Sequence, residues 1–412
     1  MNRMDHLERD LTSWLDDIAV PRTPDYADEI LQQTARVHQR PRWTFVGRWL
    51  PERATRLAPG LIKPLPWRTI GLLVALALLL AATAAVFVGS QAPLPAPFGP
   101  AANGLGAYAF DGDIFTVDPV TGSRRAIVTD PAMDHDPRWS LDGARLVFVR
   151  RAGAGDVLVV TDAAGEVITT SKDDPFVQID TDSIAWSPDR RMIAVVAGRT
   201  GSREIHLVDA LDGSVTTLPV AYAGMEPHWR PPDGRQLTFL GGTETSPNLS
   251  LYSLDDRRVD EVPISVGDAS GLRPGGWTPD GRRFVIHRGS ERVEENRTYI
   301  FDVATGDTDV VDVAFGRVSH DGKRIAGLVR TGERIWICVT DITGGPCARI
   351  GQEVHTPDPV HLGGLQWSPD DAWIVTHPVD GDPVALLDPD GGDQTQPPWS
   401  AEGLDSWQRA AP

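Results

Sequence analysis

The stretch Trp139-Ser140-Leu141-Asp142-Gly143 is the first copy of a short pattern that recurs through the second part of this 412-residue chain. In the pattern, an aromatic residue is followed by Ser or Thr, then most often Pro, then Asp and usually Gly. The copies begin at Trp139, Trp186, Trp229, Trp277, Val318 and Trp367. Their spacings of 47, 43, 48, 41 and 49 residues indicate a repeat architecture.

The residues of this pattern are those of a tight turn. Ser or Thr can bond the backbone N–H two residues on, Pro fixes φ at the second position, and Gly accepts the positive φ that closes a hairpin. Each copy precedes a segment rich in β-branched residues, such as residues 145–149 or 192–196. The repeating unit is therefore predicted to be built from antiparallel strands.

A second pattern alternates with the first. It is a strand that ends in Asp before another turn, and its copies end at Asp118, Asp162, Asp209, Asp255, Asp302, Asp341 and Asp388. This pattern has seven copies against six of the first, and the copy at Asp118 has no aromatic residue before it. Trp407 lies 40 residues after Trp367 and has no strands after it.

The copy at Asp118, which lacks an aromatic residue, and the copy at Trp407, which lacks the following strands, together make one complete unit. Residues 405–410 are predicted to supply the innermost strand of a blade whose outer three strands lie within residues 106–129. Joining the two ends of the domain in this way leaves no open sheet edge. The predicted fold is all-β, a seven-bladed β-propeller, with six blades as the alternative if the unit around Val318 is incomplete.

At this point the sequence resembles the TolB-type propellers, whose blades carry a Trp-Ser-Pro-Asp-Gly turn. The resemblance covers residues 105–412 and implies that the aromatic residues pack between neighbouring blades rather than bind a ligand. TolB itself has a separate soluble N-terminal domain, whereas this chain has a hydrophobic segment in that place. TolB's own partners are therefore not implied.

The segment from Ile70 to Val88 has 19 residues without charge or proline, close to the ~20 apolar residues that a helix needs to cross a bilayer. Seven Arg and Lys residues lie between Arg40 and Arg68, and none follows before Arg124. The positive-inside rule therefore predicts a cytoplasmic N-terminus and an extracytoplasmic propeller in the cell membrane. The predicted domains are a cytoplasmic helical segment (1–68), a transmembrane helix (69–89), a Pro/Ala-rich linker (90–104) and the propeller (105–412).

The N-terminal segment carries two amphipathic patterns. Residues 5–18 and 24–39 each place apolar side chains along one face of a predicted helix. A short helical segment, one span and a large exterior domain together resemble bacterial transmembrane anti-sigma factors, which implies a sigma factor or similar protein as the cytoplasmic partner. The His-x-x-x-Cys-x-x-Cys zinc motif of one anti-sigma class is absent.

Charge and cysteine content limit the partners further. The formal net charge is −18, and the part of the chain after the hydrophobic segment is acidic, whereas phosphate binding needs clustered cations, so nucleic acid is not an expected partner. The two cysteines, Cys338 and Cys347, are spaced to form one disulfide across a hairpin, which an oxidising compartment permits. Two buried, unpaired thiols are the alternative.

No catalytic motif appears in the chain. Gly-x-Ser-x-Gly, His-Glu-x-x-His and a phosphate-binding Gly-rich loop are all missing, so the chain is expected not to be an enzyme, and no cofactor or metal is predicted. A binding site is expected where the residues just before each innermost strand converge at the mouth of the channel. The candidates are His135, Asp136, Asp182, Glu226, His228, Arg273 and His361. Solvated loops, or hydrogen bonds that tie blades together, are the alternative for these side chains.

Three functions fit these observations. The first is a non-catalytic platform in the cell envelope that binds a protein or ligand through its propeller. The second is a transmembrane regulator whose cytoplasmic segment binds a transcription factor. The third is a propeller enzyme that acts on peptide or sugar, which requires carboxylates or histidines to converge in the channel.

Overall fold

The computed structural model describes residue 71, residues 73–78 and residues 96–411. Within the last range the gaps are 154, 173–175, 181–182, 200–202, 221–225, 244–245, 265, 267–270, 289–296, 333, 355–364, 377–383, 393 and 400–403. The chain divides into two compact units, residues 1–90 and 91–412.

In the first unit, residues 71 and 73–78 are helical, and Leu73, Val74, Leu76 and Leu78 are exposed. A search of the described residues finds no helix with the length and apolar character needed to span a bilayer. Most of the predicted span, the predicted cytoplasmic segment (1–68) and the first part of the linker lie outside the described residues.

The described part of the second unit contains seven four-stranded antiparallel sheets. Blade 1 contains β1 (Ala102–Phe110), β2 (Asp113–Val117), β3 (Arg124–Val128) and the last strand of the chain, β28 (Ser406–Ala410). Blade 2 contains β4 (Met133–Trp139), β5 (Arg145–Ala152), β6 (Gly155–Asp162) and β7 (Val167–Thr170). Blade 3 contains β8 (Ala185–Trp186), β9 (Met192–Ala197), β10 (Glu204–Asp209) and β11 (Val215–Thr217).

The other four blades follow the same order along the chain. Blade 4 contains β12 (His228–Trp229), β13 (Gln236–Thr243), β14 (Ser246–Ser253) and β15 (Arg258–Pro263). Blade 5 contains β16 (Leu272–Trp277), β17 (Arg283–Arg288), β18 (Thr298–Asp302) and β19 (Thr308–Val311). Blade 6 contains β20 (Ala314–Val318), β21 (Arg324–Thr331), β22 (Arg334–Asp341) and β23 (Ala348–Val354). Blade 7 contains β24 (Leu365–Trp367), β25 (Ile374–Thr376), β26 (Ala385–Leu387) and β27 (Gln394–Thr395).

The seven-bladed prediction is confirmed. The unit around Val318 is a complete four-stranded blade, so the six-bladed alternative is wrong. The predicted closure is also confirmed, because β28 pairs with β1 in the sheet order β28-β1-β2-β3. The two ends of the domain are therefore joined by one antiparallel strand pair.

The propeller begins slightly earlier than predicted. β1 starts at Ala102, so the linker expected over residues 90–104 ends before that residue. Gly104 and Gly106 resemble linker residues in the sequence but lie inside the strand. A Cβ on Gly104 would lie 2.6 Å from a side-chain atom of Gln408, and one on Gly106 would lie 2.2 Å from a side-chain atom of Leu404. A larger residue at either position would force these C-terminal side chains to shift, because they pack across the strand.

The aromatic residue of the first pattern connects neighbouring blades. The Trp186 indole N–H donates to the backbone carbonyl of Arg138 in the preceding blade (3.1 Å), and Trp229 and Trp367 make the same bond to Ala185 and Arg317 (2.9 Å each). All three indoles are buried. The role in packing between blades, which the resemblance implied, is therefore observed.

The turn chemistry differs from the prediction in its bond partners. It is the Asp carboxylate, not the hydroxyl, that accepts from the N–H two residues on, as Asp142 does from Ala144. The Ser140 hydroxyl instead donates to Asp142 (2.6 Å) and accepts from the Arg145 N–H (2.9 Å). The same three bonds recur in the turns that begin at Trp186, Trp277, Val318 and Trp367. The carboxylate reaches the nearer N–H, so the hydroxyl can bridge the turn to the next strand.

Cys338 and Cys347 form the predicted disulfide, with Cα atoms 5.7 Å apart. Cys338 lies in β22, and Cys347 lies just before β23. The bond therefore spans the turn between the two outer strands of blade 6.

Closure of the ring by β28 predicts that Trp407→Ala strongly lowers the free energy of unfolding. Trp407 is buried against Trp399 and Leu404, and its indole N–H donates to the Gly104 carbonyl (3.0 Å). Truncation of a buried Trp typically costs about 3–5 kcal/mol, which urea unfolding of the propeller should show. The control is Trp336→Ala, at a partly exposed site on the outer strand pair β22–β23. An equal loss of unfolding free energy in both variants would contradict a special role of the closing strand.

Candidate functional site

The two ends of the central channel differ in construction. The first strand of every blade runs toward its Trp turn, so these turns gather at one end, here called the turn end. The turns after the Asp residues of the second pattern lie at the same end. The starts of the first strands, and the loops that join the second and third strands, lie at the opposite end, here called the loop end.

Contacts between neighbouring turns close the turn end. A Cβ on Gly143 would lie 2.3 Å from the Arg409 carbonyl oxygen, and one on Gly281 would lie 2.0 Å from that of Pro231. Both glycines have positive φ, 68° and 65°. No side chain fits at these two positions, so the turns pack backbone against backbone.

Two blades replace this glycine with a residue that bonds to the preceding blade. Arg190 and Asp371 keep the positive φ, 63° and 59°. The Arg190 guanidinium donates to the Asp142 carboxylate (2.8 Å). The Asp371 carboxylate accepts from the backbone N–H groups of His320 and Asp321 (2.8 Å each). A charge-assisted bond therefore offsets the strain of a non-glycine residue at this position.

The chain enters the propeller at the turn end. The Arg409 guanidinium donates to the carbonyls of Ala96 and Gly99, and the Ala101 N–H donates to the Pro369 carbonyl in the blade 7 turn. Phe98 therefore lines a cavity of about 270 Å³ together with Arg138, His228 and the tryptophans of blades 2 to 5. This segment narrows the channel at the turn end.

Four basic side chains from three blades form a group on one wall of the channel. This basic cluster consists of His228 (blade 4), Arg273 and His287 (blade 5) and Arg317 (blade 6). Arg273 and His287 are direct partners across β16 and β17. The His228 ring packs edge to face on Phe284 (5.8 Å between centroids), and the His287 ring packs in the same way on Phe315 (5.7 Å).

Both imidazoles of the basic cluster are held in the neutral form. Burial, and then the nearby Arg317 guanidinium, lower the pKa of His228 to about 4. Burial lowers the pKa of His287 well below its usual range, assisted by Arg317, Arg273 and His228. The His228 side chain retains 27 % exposure, because it borders the enclosed channel rather than the outer surface.

The opposite wall, in blades 1 and 2, carries carboxylates. His135 Nδ1 lies 2.5 Å from the Asp136 carboxylate, and this hydrogen bond raises the pKa of His135. Arg138 donates to the Asp405 carbonyl. Burial raises the pKa of the Asp405 carboxyl, and the nearby Asp136 charge adds to this effect. The two walls therefore differ in composition: Asp136 and Asp405 accompany Arg138 on one wall, and Arg273 and Arg317 lie on the other.

The structure places five of the seven predicted site residues. His135, Asp136, His228 and Arg273 lie within innermost strands, rather than just before them as predicted, and Glu226 lies two residues before β12. The prediction missed β-bulges in the first strands, such as the one between His135 and Arg138, which lengthen those strands at their starts. His228 and Arg273 share the basic cluster, whereas His135 and Asp136 lie on the other wall. Asp182 and His361 lie outside the described residues.

Sequence reasoning missed Arg138, His287, Arg317 and Asp405. A usable signal was present for two of them, because Arg138, His228 and Arg317 each stand immediately before the aromatic position of their turn. His287 lies in a second strand and reaches the channel only through pairing with Arg273, which no motif marks.

Among the described residues, no group of three His, Cys, Asp or Glu side chains is arranged to hold a metal ion. His228 Nε2 lies 4.0 Å from the Glu226 carboxylate, but the nearby guanidinium groups oppose a bound cation.

No family model and no curated protein matches the sequence. Solved structures do match the fold. An oligogalacturonate lyase in complex with manganese gives a TM-score of 0.53 at 17% identity, over 69% of this chain and 85% of that one. The tricorn protease gives a TM-score of 0.52 at 12% identity, over 75% of this chain and 35% of that one. TolB from Acinetobacter baumannii gives a TM-score of 0.45 at 23% identity, over 65% of this chain and 67% of that one. These similarities concern the propeller fold alone.

The expectation that the chain is not an enzyme rested only on the absence of catalytic motifs, and that inference is wrong. Similar propellers with TM-scores of 0.50 or more include two oligogalacturonate lyases and the tricorn protease. Proteins named for enzymatic activities therefore share this ring of strands. The absence of a short catalytic motif does not exclude catalysis in this fold.

The low pKa of His228 predicts a loss of stability in acid. The unfolded imidazole takes up a proton near pH 6.5 and the folded one only near pH 4, so stability falls as the pH drops through this window. Between pH 7 and pH 5, His228→Gln should reduce the loss of unfolding free energy by roughly 2 kcal/mol relative to the wild type. Urea unfolding at the two pH values measures this difference.

His135→Gln is the matched control, because the pKa of His135 is raised rather than lowered. A group with a raised pKa contributes stability below its unfolded pKa, so this variant should become more sensitive to acid. Identical behaviour of the two variants would contradict the opposite environments of the two imidazoles.

Proposed function

We propose that the propeller is a binding domain whose partner or ligand docks at the loop end of the channel. The observation that carries this proposal is the contrast between the two ends. Packed turns and the Phe98 segment occupy the turn end, whereas Glu226 and Arg273 lie at or near the starts of their first strands, towards the loop end. Arg138, His228 and Arg317 lie further along the channel, next to the turns. Binding sites in ring-shaped folds form where several elements converge around a concavity.

The proposal includes attachment to a membrane. It is supported by the uncharged segment from Ile70 to Val88 and by the seven basic residues that precede it. On this basis the propeller lies outside the cytoplasm, where the Cys338–Cys347 disulfide is chemically stable. The protein then serves as an extracytoplasmic docking domain of the cell envelope.

A second function, transmembrane signalling, is favoured by one observation. Residues 5–18 and 24–39 have apolar stripes that two short helices cannot fully bury between them. A cytoplasmic protein such as a sigma factor would cover them. Co-purification of one defined sigma factor with residues 1–68, lost when Leu11 and Leu15 become Asp, supports this function; retention of the complex in the double variant contradicts it.

Site-specific photo-crosslinking in the full-length, membrane-embedded protein tests the binding proposal. A benzophenone amino acid at Glu226 probes the loop end, and one at Val120, which is 84 % exposed in a turn-end loop, is the control. We expect a discrete adduct in intact cells from position 226 and none from position 120. Adducts from position 120 alone would place the docking surface at the turn end and overturn the proposal.

A further inference from the structure

We infer that the basic cluster is an oxyanion subsite, which receives a carboxylate or phosphate group of the ligand. This inference rests on the proposed binding function and names the chemical class that the site recognises. It is carried by the convergence of two guanidinium and two imidazole groups from blades 4, 5 and 6 on one wall.

The cluster offers hydrogen-bonding atoms that the protein leaves unused. Within the described part of the chain, His228 Nε2 and His287 Nδ1 are buried and have no hydrogen-bond partner. The His287 side chain is almost fully enclosed, at 2 % exposure. A buried polar atom without a partner costs about 1–3 kcal/mol, and a ligand that supplies the partner recovers this cost.

Two of the strands that carry the basic cluster contain a β-bulge. β16 has a bulge between Pro274 and Gly276, and β20 has one between Ala314 and Arg317. Phe315 inside the second bulge has φ of 54°, which is unusual for an aromatic residue. Bulges re-aim the side chains beside them and are frequent next to binding sites. Here they set the directions of Arg273 and Arg317.

Space next to His228 is kept open by a glycine. Gly276 has φ of 100°, and its missing Cβ would lie 3.7 Å from His228 Nδ1. Any larger side chain at position 276 would extend toward the imidazole.

The charge of the cluster favours an anion over a cation. Arg273 and Arg317 are always protonated, while both imidazoles are neutral at pH 7. Neutral imidazoles can still donate one hydrogen bond each. Planar guanidinium groups match the geometry of carboxylate and phosphate oxygens. Among the described residues, the Glu226 carboxylate lies 4.0 Å from His228 Nε2 and offsets part of this positive charge.

The overall charge of −18 does not prevent anion binding at this position. Surface charges are screened over about 8 Å at physiological ionic strength, so distant carboxylates act weakly on a ligand inside the channel. The nearest carboxylates on the opposite wall, Asp136 and Asp405, instead disfavour an anion there. A ligand is therefore oriented with its anionic group toward blades 4 to 6.

Proton NMR of the imidazoles tests the inference on the intact ectodomain. D-galacturonate and D-galactose are the first pair of probes, because they differ only in the carboxylate, and inorganic phosphate is the third. We expect galacturonate or phosphate, but not galactose, to shift the His228 and His287 resonances saturably and to raise both pKa values. A preference for galacturonate identifies a carboxylate ligand, and a preference for phosphate identifies a phosphoryl group.

Arg317→Gln should weaken this binding at least tenfold. Arg258→Gln removes the same charge from the outer strand β15, where Arg258 pairs with Asp260, and should change the binding less than twofold. Equal effects of the two variants, equal binding of galactose, or no response to either anion would overturn the oxyanion subsite. None of these outcomes depends on the crosslinking at position 226, so the two proposals can fail separately.

Discussion

The ring depends on buried tryptophans whose indole N–H groups donate to backbone carbonyls and so connect blades 3, 4 and 7 to the blade before each of them. Trp186, Trp229 and Trp367 each bury an aromatic ring between two blades and donate the indole N–H to a carbonyl of the preceding first strand. That carbonyl always belongs to the residue immediately before the preceding blade's aromatic position. One tryptophan therefore fixes both the spacing of two blades and the direction of the residue whose side chain enters the channel.

This constraint explains how a structural repeat produces a polarised site. Because the next blade's tryptophan holds the carbonyls of Arg138, Ala185 and Arg317, the side chains at these positions can vary without loss of the ring. The variation places Arg138 on one wall and Arg317 on the other. The turns repeat nearly the same bonds in each blade, so the side chains that differ between blades give the channel its uneven distribution of charge.

The sequence predicted the ring more completely than the site, and the reason is physical. Blade spacing, the number of blades and closure by Trp407 follow from local turn and strand chemistry, which acts over a few residues. The direction of Arg317 and the burial of His287 depend on bulges and on pairing with another strand, which no local pattern encodes. Even the turn bond was misassigned, since Ser140 and Asp142 could each reach the N–H two residues on and only geometry shows which one does.

The same reasoning separates fold from activity. A motif search excludes only those reactions whose residues are close in sequence, whereas a propeller assembles its channel from residues about 45 positions apart, and the structures with TM-scores of 0.50 or more that share this ring include enzymes. In this chain the side chains that converge are two guanidinium groups and two neutral imidazoles facing carboxylates. If the channel binds a ligand as proposed above, such a pair of walls would orient one that carries separated polar groups, and any chemistry in the channel would have to act on a ligand held in that orientation.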